Sequence, residues 1–308
     1  MIKDKRTTLP IARIVEETEN VRTFTFRMDV KAAPGQFIML TDFKGGEKPF
    51  SISDNMLEDG KNGYLSVSIK RIGDFTRRLF DMKAGDIVSI RGPYGTPFFI
   101  PGKPDEKTPE VVSKIKPADF RPVLCGGGFG LPPLYLLAKR LLEAGVPAKN
   151  IKAVGAGRSE ADLLFEQQFT GLGIPYTGAA ESLDDVSAAA SLEGGCGRIC
   201  GTAAEALTEI ATETNFVYAS GPDLMMKSLI PQMPQDTEYQ FLFERYMKCA
   251  IGICGSCATD PGGIRICKEG PALWRHQVEQ LEDFGVYRRT ASGAIELFEN
   301  RLAGRDRA

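Results

Sequence analysis

Apolar and polar residues alternate along two stretches near the start of the chain, Val21-Arg22-Thr23-Phe24-Thr25-Phe26 and Gly63-Tyr64-Leu65-Ser66-Val67-Ser68-Ile69-Lys70. A period of two turns one face of a strand inward and the other outward. Turn signals at Pro34-Gly35, Gly45-Gly46, Asp59-Gly60, Ala84-Gly85-Asp86 and Gly92-Pro93 cut residues 8–100 into short runs. Many short strands between turns predict a small antiparallel barrel, interrupted by one short helix from Thr76 to Met82. Residues 101–119 are polar and proline-rich and read as a linker or insertion.

From Arg121 the pattern becomes α/β. Short apolar strands are predicted at Val123-Leu124-Cys125, Ile151 to Gly155 and Phe216 to Ala219. Helices are predicted from Pro132 to Glu143, Asp162 to Phe169, Thr202 to Ala211 and Asp223 to Ile230. Strands alternating with helices imply a parallel sheet. Pro132 and Pro133 suit a first helical turn, and Gly145 suits the end of that helix.

Composition narrows the class. The chain has 308 residues, 43% hydrophobic and 25% charged, with a net charge of −2. That is long enough for more than one domain and offers no basic surface for nucleic acid. Met1-Ile2-Lys3-Asp4-Lys5-Arg6 has no apolar core behind its charges and is no signal peptide. No apolar run approaches the about 18 residues of a spanning helix. Seven cysteines, unevenly spaced, fit a reducing cytoplasm and a metal centre better than a disulfide framework.

Four of those cysteines, Cys249, Cys254, Cys257 and Cys267, fall as C-x4-C-x2-C-x9-C. The first three follow the plant-type spacing for a [2Fe–2S] cluster. Thiolates converging on two irons require a tightly curled chain, and Gly252 and Gly255 permit the torsions. Four thiolates also suit tetrahedral Zn²⁺, although structural zinc usually takes two close pairs and Cys267 has no near partner in sequence. Cys125, Cys196 and Cys200 lie outside the pattern, and His276, beside Trp274, reads as a surface residue.

Other stretches suggest nucleotide chemistry. Gly126, Gly127, Gly128 and Gly130 lie between a strand and a helix start, where backbone N–H groups can meet a phosphate. A tight turn with no ligand is an equal reading, since G-x-G-x-x-G is not matched. Gly157 and Arg158 follow the next strand, and Ser220, Gly221 and Pro222 follow a later one. All of these belong to the edge of the sheet where α/β proteins bind ligands. Arg158 reads equally as a surface charge, and Met225 and Met226 as helix packing. Lys48, Pro49, Phe50 and Ser51, with Ser68, Ile69 and Lys70 and with Gly73, Phe75 and Thr76, combine a cation, aromatic rings and hydroxyls. Such a set could hold a phosphate and a flat polar-edged ring; a hairpin followed by a helix cap is the plainer reading. Thr76 is expected to cap the short helix.

Taken together these residues resemble the electron-transfer subunits of two-component, NAD-linked dihydroorotate dehydrogenases, in the ferredoxin–NADP reductase superfamily. The most specific match is Glu244-Arg245-x-Met247-x-Cys249-x4-Cys254-x2-Cys257, followed by Cys267-Lys268-Glu269-Gly270-Pro271. The resemblance implies a six-stranded antiparallel FAD-binding barrel over 1–102, a linker over 103–119 and a Rossmann-like NAD(H)-binding α/β domain over 120–239. A [2Fe–2S] segment over 240–271 and a C-terminal extension over 272–308 complete the expected order. It implies ligation of the cluster by Cys249, Cys254, Cys257 and Cys267. It matches the family's R-P-x-S flavin motif to Lys48-Pro49-Phe50-Ser51, where lysine keeps the charge but loses the guanidinium fork. It places Ser220 where the superfamily often has cysteine.

The expected function is electron transfer between NAD(H) and a catalytic flavoprotein subunit of the dihydroorotate dehydrogenase type, in a heterotetramer serving pyrimidine biosynthesis. The small subunits of NAD(P)H–ferredoxin transhydrogenases and of cytoplasmic hydrogenases share this architecture. So would a stand-alone NAD(P)H flavin reductase. A zinc-stapled nucleotide-binding module is the alternative of a different class. The cysteine spacing predicts iron and labile sulfide, with no zinc, in anaerobically prepared protein by metal and sulfide analysis. Zinc in their place would make the loop a structural staple.

Overall fold

The structure, a computed structural model, describes residues 6–56, 63–182 and 197–298. The predicted Asp59-Gly60 turn, Cys196 and residues 299–308 lie outside them. The first unit is a closed antiparallel barrel of β1 (Arg6–Thr18), β2 (Val21–Arg27), β3 (Phe37–Thr41), β4 (Glu47–Met56), β5 (Tyr64–Lys70) and β6 (Ile87–Tyr94), in the order β1-β2-β5-β4-β3-β6. The alternation explains the closure. Phe24 and Phe26 of β2 and Leu65, Val67 and Ile69 of β5 point into the core. Outside, Thr23 meets Ser68 and Thr25 meets Ser66 through hydroxyl pairs of 2.8 and 2.9 Å. Helix α1 (Asp74–Asp81) packs Phe75, Leu79 and Phe80 onto the same core.

Helix α1 begins two residues before the predicted start. Gly73 is its N-cap, and Thr76 sits in its first turn rather than at the cap. The Thr76 hydroxyl reaches back and accepts the N–H groups of Ile72 and Gly73 at 2.9 and 3.0 Å. The predicted linker is structured in part. It carries α2 (Glu110–Ser113), whose Val112 is buried against the aromatic core of the second unit.

That second unit is a sheet ordered β10-β9-β8-β7-β11-β12-β13. Its strands are β7 (Pro122–Gly127), β8 (Lys152–Ser159), β9 (Tyr176–Ser182), β10 (Gly197–Cys200), β11 (Phe216–Ser220), β12 (Glu238–Leu242) and β13 (Ala272–Trp274). All neighbours are parallel except β12 and β13. Its helices are α3 (Leu131–Glu143), α4 (Glu166–Gly171), α5 (Ala203–Ile210) and α6 (Asp223–Leu229). The chain lays strands outward from β7 on one side, then returns to add β11 on the other. This reversal opens a crevice at the carboxyl ends of β7 and β11.

Two element ends differ from the sequence expectation for local reasons. Strand β8 continues through Gly157 and Arg158 to Ser159, because its pairing with β9 extends that far. The helix expected from Asp162 starts at Glu166, since Phe165 adopts a left-handed backbone (φ 62°) ahead of it. Strand β12 crosses position 239, and β13 brings the first residues of the expected C-terminal extension into the sheet. The cysteine segment is therefore a long connection between two adjacent antiparallel strands.

The two units share a packed boundary. Leu136 of α3 joins the barrel core. Lys139 pairs with Asp54 at 2.7 Å, and Arg140 donates to the Asn55 carbonyl at 2.9 Å. Behind the sheet, Phe99, Phe120, Phe216, Tyr218 and Trp274 form one aromatic cluster, into which Tyr218 donates to the Phe99 carbonyl at 2.7 Å. Phe120 is fully buried there. Phe120→Ala should lower stability by about 3–5 kcal/mol, read as a fall in the denaturant midpoint, with no change in the residues that line the crevice.

Candidate functional site

Strands β4 and β5 and the turn into α1 bring together the residues predicted for a flat ring. Lys48, Pro49, Phe50 and Ser51 lie on β4, and Ser68, Ile69 and Lys70 end β5. Phe50 stacks on Phe75 at 6.1 Å between ring centres. Pro49, Phe50, Ser51, Ser68, Ile69, Lys70 and Thr76 line a cavity of about 190 Å³. A wider cleft of about 600 Å³ continues from it over Lys48, Gly73 and Phe75, sharing Pro49, Phe50 and Thr76. Apolar faces with hydroxyl and cationic edges suit an aromatic heterocycle carrying phosphates.

Sequence reasoning left the far wall of that cavity unassigned. Phe129 and Pro133 come from the glycine loop and α3, and Phe243, Glu244, Arg245, Met247 and Pro271 from the cysteine segment. Four of these, Glu244, Arg245, Met247 and Pro271, belong to the motif noted in the sequence, which was the available signal. Arg78 of α1 also lines the wider cleft. It is held by the buried carboxylate of Asp42 at 2.6 Å, and no local sequence pattern links those two residues.

The predicted nicotinamide residues meet at the crevice. Ser220 is the register partner of Gly126, and Gly127 that of Ala156, next to Gly157 and Arg158. Gly128 has a left-handed backbone (φ 52°). A Cβ on Gly130 would overlap the Ser220 carbonyl, and one on Gly127 would overlap the Met225 sulfur. These close approaches press the glycine loop against Ser220, Gly221 and Pro222. Met225 packs there, and Met226 is buried in the core. The Ser220 hydroxyl is buried without a hydrogen-bond partner among the described residues. Arg158 is exposed at the end of β8.

The cysteine segment curls through left-handed backbone at Ala250, Gly252 and Gly255 (φ 62°, 77° and 70°). Its thiols influence one another in two pairs, Cys249 with Cys254 and Cys257 with Cys267. The Cys267 N–H also reaches the Cys257 sulfur at 3.4 Å. Burial opposes ionisation of Cys249, but the N–H groups of Cys254, Ile251 and Ile253 outweigh it and bring the thiol down to about 6. Cys257, stabilised first by the Cys267 thiol, lies at about 7, and Cys267 is pushed up in turn. Among the described residues no three His, Cys, Asp or Glu side chains converge on a single metal ion. Paired soft donors with N–H groups aimed at sulfur fit a two-iron cluster. Cys254 and its neighbour Ile253 are exposed, whereas Cys257 and Cys267 are buried. Cys125 is buried, and Cys200 and His276 are exposed, away from this group.

Comparison with known proteins follows this geometry. Residues 8–99 match an oxidoreductase FAD-binding domain, and residues 244–279 match the iron-sulfur cluster binding domain of dihydroorotate dehydrogenase B. A probable dihydroorotate dehydrogenase B (NAD(+)), electron transfer subunit, of Methanothermobacter thermautotrophicus is 35% identical over 92% of this chain and 95% of its own. The chain belongs to this family of electron transfer subunits. The Methanocaldococcus jannaschii member is 32% identical over 92% of this chain and 95% of its own. The fold is shared with a solved NADH-dependent reduced ferredoxin-NADP oxidoreductase (TM-score 0.69, 23% identity, 89% of each chain). A ferredoxin reductase of carbazole 1,9a-dioxygenase shares it too (TM-score 0.60, 22% identity, 78% of this chain and 69% of that one). Among the described residues no helix is long and apolar enough to cross a membrane.

Beside the cavity, Arg245 is nearly enclosed and pairs with Asp223 and Asp283 at 3.0 and 3.2 Å. Glu244 lines the cavity and is exposed at the surface. Desolvation first, and the Asp223 charge second, raise its carboxyl to about 7, with Arg245 opposing. A carboxyl raised in the fold holds its proton where the unfolded chain has lost it. Stability therefore falls as pH rises from the ordinary value of 4.5 to about 7, then levels. In Glu244→Gln that slope should flatten. Thermal melts of both proteins at pH 5, 6, 7 and 8 check this: the stability gained by the substitution should grow between pH 5 and 7.

Proposed function

We propose that this chain carries electrons between NAD(H) and a partner flavoprotein of the dihydroorotate dehydrogenase type, through FAD and a [2Fe–2S] cluster of its own. The observation that carries this reading is the shared cavity: barrel, glycine loop and cysteine segment each supply part of one wall system. Groups bound by those segments would lie next to one another, as electron transfer requires.

When bound, the cluster supplies one-electron exchange, the nicotinamide hydride exchange, and the flavin both. Pro49, Phe50, Ser51, Ser68, Ile69 and Lys70 would hold the flavin ring. Lys48, Gly73, Phe75 and Thr76 would hold its phosphate-bearing arm, and Arg78, which lines the same cleft, would join them. Gly126, Gly127, Gly128, Gly130, Gly157, Arg158, Ser220, Gly221 and Pro222 would hold the nicotinamide dinucleotide. Cys249, Cys254, Cys257 and Cys267 would hold the irons. A preference for NAD over NADP is supported by charge. Arg198 is already taken by Glu160 and Glu166 at 3.3 and 2.6 Å, which leaves it committed rather than open to a 2′-phosphate.

The exposed loop tip at Ile253 and Cys254 is where a partner would approach the cluster. A cytoplasmic heterotetramer with the catalytic flavoprotein, in pyrimidine biosynthesis, is the assembly this reading assigns. No general acid–base pair for an organic substrate is needed in this chain, since the partner would oxidise it.

The protein purified from its native extract should be brown-yellow, carry FAD with iron and labile sulfide, and bring a stoichiometric flavoprotein with it. Cys254→Ser should lose the cluster bands while NADH still bleaches the flavin. A colourless wild-type protein, or full turnover of dihydroorotate by this chain alone, overturns the division of labour.

A further inference from the structure

One barrel side chain reaches the cysteine loop directly. Arg91 of β6 is nearly buried, with 9% of its side chain exposed. Its Nη1 donates to the Cys249 carbonyl at 3.1 Å. Its Nε and Nη2 grip the Glu47 carboxylate at 2.8 and 2.7 Å, and its guanidinium lies 5.6 Å from the centre of the Tyr94 ring. Glu47 is shared with Arg6 at 2.6 Å. Two guanidinium groups thus converge on the Glu47 carboxylate. Glu47 also precedes Lys48 on β4, and the Lys48 ammonium lies 5.3 Å from the Tyr246 ring in the cysteine segment. One short strand thus fixes a cation toward the wide cleft and, through Glu47, a second cation against Cys249.

We infer that Arg91 is a positioning residue for the iron–sulfur centre, fixing the Cys249 end of the loop against the barrel and favouring the reduced, more negative cluster by its charge. The inference rests on the cluster reading above. An arginine is required by the geometry: one edge of the fork takes Glu47 while another N–H takes the carbonyl, and an ammonium cannot span both with fixed direction. Burial leaves little water to screen the charge. Glu47 acts in the opposite sense, because it offsets part of the positive charge.

The test uses the full holoprotein and an EPR-monitored redox titration, with iron, sulfide and FAD content measured on each sample. Arg91→Gln should lower the cluster midpoint by about 59 mV, a tenfold change in its one-electron equilibrium, while the flavin midpoint stays in place. Arg91→Lys should recover much of that shift by restoring the charge. Glu47→Gln should move the cluster midpoint upward, a sign that loss of a mere structural staple would not give. An unchanged midpoint in Arg91→Gln with iron retained, or a lysine variant indistinguishable from the glutamine variant, overturns the inference. Should Arg91→Gln lose its iron, Glu47→Gln decides: an upward shift supports the inference, and no shift or a downward one overturns it. Absence of iron from the wild-type protein is a different result, which overturns the cluster reading and this inference with it.

Discussion

Everything about the site depends on where the cysteine segment is tied down. It leaves the sheet as β12 and returns as β13, its antiparallel neighbour. The Phe243 N–H closes the base of the excursion on the Pro271 carbonyl at 2.9 Å. Fixing both ends of a long connection at one point meets its closure cost in the strand ladder, so the intervening residues can adopt an irregular path. From that base the segment reaches the barrel. The Thr96 N–H donates to the Gly270 carbonyl at 2.6 Å, and Gly95, lacking a side chain, lets Pro271 lie against the backbone. Sheet and barrel are thus joined through the segment whose thiols they flank.

A buried ionic junction sits behind the same wall. Arg245 lies between two carboxylates, all three side chains at 7% exposure or less. Asp223 opens α6, next to the Ser220 turn, and Asp283 belongs to the C-terminal stretch. That stretch also holds the cysteine segment, since Tyr287 and Arg289 both reach Asp260, at 2.9 and 2.7 Å. Phe284 packs on Phe243 at 5.1 Å between ring centres, and Lys227 of α6 donates to the Phe284 carbonyl at 3.0 Å. Charges so enclosed are stable only as a set, because removing one strands the others. The residues around 283–289 therefore buttress the cavity wall and are not a loose appendage.

The sequence made the local pieces legible and left the long-range ones dark. Alternation exposed β2 and β5, because Phe24, Phe26, Leu65 and Val67 obey the period-two rule. The cysteine spacing and glycine loop were visible because their chemistry is confined to a few consecutive positions. The strand β13 was missed, since Ala272-Leu273-Trp274 is too short to show a period. Phe165 gave no sign of its left-handed torsion, which displaced the start of α4. Glu244 and Arg245 were read only as part of a motif. Their place in the cavity depends on the β12–β13 pairing, and no local signal reports that pairing. The same holds for Arg91 and Cys249, partners 158 positions apart.

The acidity of the Cys249 thiol follows from backbone shape more than from nearby cations. Three N–H groups from the loop itself turn toward Cys249, and they can do so only because the chain takes left-handed torsions at Ala250, Gly252 and Gly255. Two of those positions are glycines and carry no steric penalty. The third is not: a non-glycine residue in that region costs about 1–2 kcal/mol. Ala250 is almost fully buried against the core that includes Ile266 and Leu273, so the methyl group that creates the strain also supplies packing to offset it. A glycine there would relax the torsion but lose that contact and loosen the loop in the unfolded chain. Local strain held by neighbouring packing is a recurrent way to keep a functional loop in one shape, and here it keeps the donors in place before anything binds them.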